Sequence, residues 1–176
     1  MGYLISAFWG FSEATLFVVL AEAWISDAAL QAPRRAFWYL LLTLAGALAG
    51  GALMFSWGEA DILGARLILE NMPPVSVAMQ DQAALMLRHE GLASLLTAPW
   101  RGIPYRVMAV ETGYAIYGLT AFLLVSLPAR ALPLAAAWGL GALAGRQARR
   151  WRLRIPLVRG LFGGGWVLTH LLWWWA

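Results

Sequence analysis

The stretch FWYLLLTLAGALAGGALMFSW, residues 37–57, decides the fold class of this chain. It contains 21 consecutive uncharged residues, and a helix needs about 20 predominantly apolar residues to cross a bilayer. The whole chain agrees, because 61% of its residues are hydrophobic, only 12% are charged and its mean hydropathy is +0.67. Soluble domains are about 25% charged. We therefore predict an all-α integral membrane protein.

Further apolar runs follow towards the C-terminus. Residues 112–129 and 160–176 contain no Asp, Glu, Lys or Arg, and each is close to spanning length. Residues 131–145 form a shorter run that carries Pro133 near its start, which leaves open whether it crosses the bilayer. No segment has the features of a separate soluble domain, so we predict a multi-pass helical bundle that forms a single membrane domain over residues 1–176.

The basic residues of the chain are 13 arginines and no lysine. They concentrate at Arg34 and Arg35 and again between Arg146 and Arg154, next to apolar runs, as in the cytoplasmic loops of membrane proteins. We therefore attribute the excess of basic residues to the topology of a membrane protein, and we expect no nucleic-acid partner. If both groups face the same side, an even number of crossings separates them, yet three apolar runs lie between. At least one run is thus predicted to be a hairpin or a partial insertion.

Several kinds of chemistry are disfavoured by composition. The chain has no cysteine and two histidines, which argues against disulfides, iron–sulfur clusters and zinc sites. We find no acidic cluster of the kind that holds magnesium, no cysteine nucleophile and no paired histidines. We therefore expect no metal, no cofactor and no enzymatic activity.

Residues 58–100 are more polar than the rest of the chain and predict one amphipathic helix over about residues 76–90. Ser76 is a suitable N-cap and Gly91 a suitable C-terminal stop. We expect this helix to lie at the membrane interface. Its apolar face is predicted to consist of Met79, Ala83, Met86 and Leu87.

Two glutamates interrupt the first apolar region. A charge at the centre of a spanning helix costs about 2.5–3.5 kcal/mol, so Glu13 and Glu22 require a compensating environment. Nine positions along a continuous helix would point the two carboxylates in opposite directions. A broken, re-entrant segment over about residues 8–30 places both beside a polar cavity. The alternative, in which Glu22 ends a first helix at the headgroups, stays open.

A second set of charges lies in PWRGIPYRVMAVE, residues 99–111. Here Arg101 and Arg106 flank Pro104, and Glu111 follows in the next apolar run. Arg106 and Glu111 are five positions apart, about 140° around a helix, so a partner from another segment, such as Glu13, is favoured for Arg106. The alternative for both arginines is that they snorkel to the interface.

In order and spacing these residues resemble the DedA family, also called the VTT or SNARE-associated Golgi protein superfamily, and particularly its small bacterial members. Many members have two acidic residues nine positions apart in a first re-entrant segment, as Glu13 and Glu22 are. A glycine-rich helix follows, and then a glycine that leads to a motif of arginine, isoleucine, proline and a further basic residue, which resembles Arg101 to Arg106. The structural positions that match the family are Gly46, Gly50, Gly58, Gly91, Pro104 and Gly113.

The resemblance implies an architecture with two re-entrant helical hairpins that meet at the membrane centre. The first covers about residues 8–30 and the second about residues 91–106. The glycine-rich transmembrane helix is residues 37–57, and further transmembrane helices occupy residues 107–176. A multi-pass protein of the bacterial cytoplasmic (inner) membrane is expected.

The function implied by the resemblance is lipid transport of the flippase or scramblase type. The expected substrate and partner is an anionic phosphate-bearing lipid, such as polyprenyl phosphate or a phospholipid. We hypothesise that Arg101 and Arg106 bind the phosphate, because a guanidinium matches phosphate geometry. Glu13, Glu22 and Glu111 are the candidates for proton coupling or charge pairing.

Three questions remain open at this point. A non-transporting membrane scaffold or envelope-homeostasis factor is the alternative function, since buried charge pairs can serve structure alone. A membrane-embedded lipid-modifying enzyme is a third, less favoured function. Homo-oligomer formation is also left open.

Overall fold

The fold is described here from a computed structural model that covers residues 2–15, 21–115 and 117–175, with the side chains of residues 170–175 excepted. Over these residues the regular structure is helical and contains no strand. Two helices, Pro33–Ala60 and Leu119–Arg150, are long and apolar enough to cross a membrane. The predicted all-α class and the spanning length of the glycine-rich segment are confirmed.

The helices follow one another with short connections. They are α1 (Gly2–Ala14), α2 (Ala21–Gln31), α3 (Pro33–Ala60), α4 (Ile62–Glu70), α5 (Val77–Glu90), α6 (Ser94–Thr97), α7 (Tyr105–Tyr114), α8 (Leu119–Arg150) and α9 (Ile155–Trp175). Short 3-10 turns at Gly91–Ala93 and Ala98–Arg101 flank α6.

Helices α1 and α2 form an antiparallel hairpin. The ring of Trp9 stacks on that of Trp24 with centroids 5.7 Å apart, and Trp24 Nε1 donates to Ser6 Oγ at 3.1 Å. Glu13 and Glu22 therefore lie on two separate, antiparallel helices, and a re-entrant insertion of this hairpin stays a prediction. Residues 16–20, in the middle of the first predicted re-entrant region, lie outside the described residues.

Helix α1 packs on α3, parallel to it and backbone against backbone. A Cβ atom on Gly46 would overlap the carbonyl oxygen of Ala7, and one on Gly10 would overlap that of Thr43. Gly50 faces the end of α1 in the same way. Such close approach is possible only where both helices lack side-chain bulk, which is the usual role of small residues between membrane helices.

Helix α7 packs on the C-terminal half of α3 through the same kind of glycine contact. A Cβ on Gly58 would overlap the carbonyl oxygen of Val110, and one on Gly113 would overlap that of Phe55. As in the α1–α3 pair, each helix contributes a glycine that faces the backbone of the other helix. Helix α3 is therefore the central element against which both short helices α1 and α7 lie.

Helix α8 runs antiparallel to α3. Its early residue Phe122 contacts Phe55 with ring centroids 5.2 Å apart, and its later residue Trp138 donates from Nε1 to the carbonyl oxygen of Pro33 at 2.9 Å. Near its end, Arg149 donates to the carbonyl oxygen of Leu30. The two arginine groups recognised in the sequence therefore lie at the same end of the bundle.

The division of this region into separate runs, 112–129 and 131–145, was wrong. Helix α7 ends at Tyr114, and α8 continues without interruption through Pro128 and Pro133. Prolines are tolerated inside membrane helices because neighbouring groups satisfy the backbone carbonyls that they release. With α8 as one helix, two long helices of opposite direction separate the arginine groups, which accounts for their common side.

The predicted amphipathic helix is present as α5. Ser76 Oγ accepts a hydrogen bond from the backbone of Met79 at 3.3 Å, and the helix stops at Gly91, whose φ is +63°. Three residues of the predicted apolar face are buried, namely Ala83, Met86 and Leu87. Gln80 takes the place of Met79, which is only partly buried, and donates to the carbonyl oxygen of Arg66. The location of α5 at a membrane interface stays a prediction.

Candidate functional site

The site begins with an ion pair between α1 and α8. Arg130 Nη2 donates to Glu13 Oε1 at 2.8 Å, and the two side chains are 9% and 20% exposed. Glu13 stands one residue before the end of α1, and Arg130 stands near the middle of α8. The sequence argument missed Arg130, since a charge next to Pro128 resembles the end of a helix.

Two further charges surround this pair. Glu22, in the first turn of α2, lies close enough to act electrostatically on both Glu13 and Arg130. Arg106, the second residue of α7, is only 3% exposed and acts electrostatically on Glu13. We call Glu13, Glu22, Arg106 and Arg130 the central charge cluster. Its two carboxylates and two guanidiniums balance to a formal charge of zero.

Arg106 makes the start of α7 electropositive. Its Nη2 donates to the carbonyl oxygen of Pro73 at 3.1 Å, while its buried Nε has no hydrogen-bond partner among the described residues. No side chain caps this helix, because its N-cap residue is Pro104. The dipole of a helix already places positive potential at its N-terminus. A buried arginine at the same point makes it a favourable place for an anion.

Glu13 occupies a position suited to an anionic ligand. One carboxylate oxygen accepts a hydrogen bond from Arg130. Ala21, at the start of α2, is a neighbour of the carboxylate without a hydrogen bond of acceptable geometry to it. The other oxygen, Oε2, is buried and has no partner among the described residues. An arginine combined with a helix N-terminus is a common way to bind phosphate or carboxylate. The chain's own carboxylate therefore lies in an anion site.

Glu111 lies in a different charge pair. Its two oxygens accept hydrogen bonds from Arg66 Nε and Nη2, both at 2.7 Å, and Glu111 is 2% exposed. Arg66 also reaches Asp81 at 3.3 Å. The hydrogen bonds to Glu111 raise the pKa of the Arg66 guanidinium. This pair fastens α4 to α7, and Arg66 escaped sequence analysis because it lies in the polar region between residues 58 and 100.

Arg101 lies outside the central charge cluster. Its side chain is half-exposed and pairs with Glu90 at the end of α5. Helical structure is interrupted between Arg101 and α7, at Gly102, whose φ is +76°, and at Pro104. Of the two arginines hypothesised to bind phosphate, only Arg106 lies near Glu13.

Comparisons with protein-family models, with curated proteins and with solved structures find no match to this chain. The similarity to the DedA family rests on the residues named above. The central charge cluster is therefore the feature from which a function can be inferred.

Proposed function

We propose that this chain is a multi-pass protein of the bacterial cytoplasmic membrane that moves a phosphate-bearing lipid between the two leaflets. The observation that carries the proposal is the buried anion site at Arg130, which Glu13 fills. A lipid phosphate carries its negative charge through hydrocarbon, where an unpaired charge is strongly disfavoured. A cationic site inside the protein lowers that barrier.

The membrane arrangement follows from helix lengths. Helices α3 and α8 are long and apolar enough to cross, and in this proposal α9, with 21 residues, is a third crossing. Helices α1 and α2 have 13 and 11 residues, which at 1.5 Å per residue extend about 20 Å and about 16 Å, less than the roughly 30 Å of hydrocarbon. Their hairpin therefore enters and leaves on one side. The broken region 91–106, followed by the short α7, forms the second re-entrant element.

The arginine-rich end of the bundle faces the cytoplasm in this arrangement. Arg34 and Arg35 begin α3, and the group between Arg146 and Arg154 ends α8. Positive residues accumulate on the cytoplasmic side of membrane proteins. The hairpin of α1 and α2 then enters from the cytoplasmic side, and Glu13 lies near its inner end.

Exchange of anions at Arg130 is the proposed transport step. A lipid phosphate displaces the Glu13 carboxylate, because a guanidinium can bind two phosphate oxygens at once. Arg106 and the start of α7 hold the remaining negative charge. Glu13, released from its arginine in a poorly hydrated place, takes up a proton, and it returns the proton when the lipid leaves. Glu22 is the neighbouring carboxylate through which that proton passes.

The remaining charged residues have supporting roles in this proposal. Arg101, beside the 90% exposed Trp100, attracts lipid headgroups at the interface. The Arg66–Glu111 pair keeps α7 in place while the anion site exchanges its occupant.

The proposal is tested in proteoliposomes made from the purified protein. The exchange of leaflet-restricted labelled polyprenyl phosphate and of labelled phospholipid is followed with and without a proton gradient, beside empty liposomes. Faster exchange of at least one phosphate-bearing lipid supports transport, and a response to the gradient supports proton coupling. Exchange equal to that of empty liposomes, with correctly inserted protein, overturns the proposal and favours a membrane scaffold.

A further inference from the structure

Two buried hydroxyl groups lie beside the central charge cluster without hydrogen bonds. Tyr105 is 9% exposed and Ser126 is 0% exposed, and neither hydroxyl has a partner among the described residues. The two are neighbours but do not meet the geometry of a hydrogen bond. Leaving a buried polar group unpaired costs about 1–3 kcal/mol, and most such groups in proteins are paired. A ligand that accepted a hydrogen bond from each of these hydroxyls would remove that cost.

The ring of Tyr105 is fixed against Arg130. The guanidinium carbon of Arg130 lies 5.4 Å from the ring centroid, within the range of a cation–π contact. The ring also stacks on Phe122, with centroids 6.0 Å apart and planes inclined by 16°. A Cβ on Gly51 would overlap the Tyr105 hydroxyl. The missing side chain at Gly51 therefore creates the space in which this hydroxyl lies.

Ser126 approaches the same guanidinium from α8 itself. It precedes Arg130 by four positions, so both side chains lie on one face of the helix. Arg130 uses Nη2 for Glu13, while its buried Nε has no partner. Nε–H and the hydroxyls of Tyr105 and Ser126 are thus three available donors around one guanidinium.

We infer that Tyr105 and Ser126 are ligands of the lipid phosphate at Arg130 and that the Tyr105 ring is the positioning group of the guanidinium. This inference deepens the proposed function and rests on it. Phosphate oxygens accept several hydrogen bonds at once, so a phosphate can use three neighbouring donors more fully than a carboxylate can. The hydroxyls therefore favour phosphate over Glu13 when the two compete for Arg130.

The experiment separates the hydroxyl of Tyr105 from its ring. Binding of a short-chain phosphatidic acid to the purified, detergent-solubilised protein is measured for wild type, Tyr105→Phe, Ser126→Ala and Tyr105→Leu. Tyr114→Phe, which removes a hydroxyl from an exposed tyrosine of the same helix, is the matched control. Thermal unfolding is recorded for each protein, and lipid exchange is measured after reconstitution.

Tyr105→Phe is expected to be at least as stable as wild type, because it removes an unpaired buried hydroxyl. It should bind the probe about tenfold more weakly, as for a lost hydrogen bond to a charged group. Ser126→Ala should behave similarly. Tyr105→Leu should also lower the unfolding temperature, and Tyr114→Phe should change nothing.

Two results overturn the inference: no probe binding by wild type, or wild-type binding and exchange in both Tyr105→Phe and Ser126→Ala. If wild type binds the probe and the hydroxyl variants weaken binding, but no lipid exchange occurs, the ligand assignment stands and the transport proposal fails.

Discussion

Glu13 and Arg130 are 117 positions apart in the sequence, and their side chains meet at 2.8 Å. The pair connects the end of α1 to the middle of α8, far from the ends of that long helix. It adds a charged contact to the close packing of α1 on α3, which also holds the hairpin of α1 and α2 to the bundle.

The stability of this pair is the first prediction. Arg130→Met should lower the free energy of unfolding by about 3–5 kcal/mol, because it leaves the Glu13 carboxylate buried without a partner. Adding Glu13→Gln to Arg130→Met should recover part of that loss, since no charge then remains. Denaturant unfolding in mixed micelles measures each variant. If the losses of unfolding free energy caused by the two substitutions simply add in the double variant, the two side chains do not interact.

The pair of Glu111 with Arg66 gives a second prediction. Glu111→Gln should destabilise the protein by about 1.5–3 kcal/mol, as expected for lost hydrogen bonds to a charged group. Glu90→Gln is the matched control because the Glu90–Arg101 pair is exposed, and exposed pairs contribute about 0–1 kcal/mol. The same unfolding measurement compares them. A larger effect at Glu90 than at Glu111 would contradict the packing of α4 on α7.

The glycine contacts of α3 give a third prediction. Gly46→Ala and Gly58→Ala should each lower the unfolding temperature, because the new Cβ meets a backbone oxygen that no rotamer change can move. Gly139→Ala, in α8, is the control, since a Cβ there meets nothing within 4 Å. Thermal unfolding by tryptophan fluorescence reports the difference. Tolerance of both α3 substitutions would mean that α1 and α7 do not approach α3 this closely.

Topology gives a fourth prediction, and the absence of cysteine from the chain makes it simple to test. Single variants Gln31→Cys and Gln147→Cys should react with an impermeant maleimide from the same side of the membrane. Ala60→Cys, at the other end of α3, should react from the opposite side. Labelling of intact and of broken spheroplasts separates the two sides. Reaction of positions 31 and 147 from opposite sides would exclude α8 as a single crossing.

Local signals in the sequence predicted much of this architecture. The uncharged run 37–57 identified α3, and Ser76 and Gly91 marked the limits of α5. The spacing of Glu13 and Glu22 favoured a broken segment, and the two residues lie on separate helices, α1 and α2. The first two of these inferences depend on neighbours within about 20 residues. The arginine distribution, if both groups face one side of the membrane, calls for an even number of crossings between them, and the continuous α8 is compatible with that number.

The partners of the buried carboxylates were beyond such reasoning. Arg130 lies between Pro128 and Pro133, so the pattern indicated a helix end although tertiary contacts keep α8 continuous. Arg66 lies in a region with many charges, where nothing distinguishes a buried pair from a solvated side chain. Both contacts join residues at least 45 positions apart, and only the packing of helices brings them together.

The most direct measurement of the central claim is lipid exchange by Glu13→Gln beside Glu90→Gln. Both substitutions replace a paired carboxylate with its isosteric amide, one in the anion site and one on the surface. Proteoliposomes of equal protein content, with unfolding temperatures checked, report the exchange rate of the labelled phosphate-bearing lipid. The account predicts wild-type exchange for Glu90→Gln and, for Glu13→Gln, exchange that is at least tenfold slower or no longer responds to a proton gradient. Unchanged exchange and an unchanged gradient response in Glu13→Gln would contradict it.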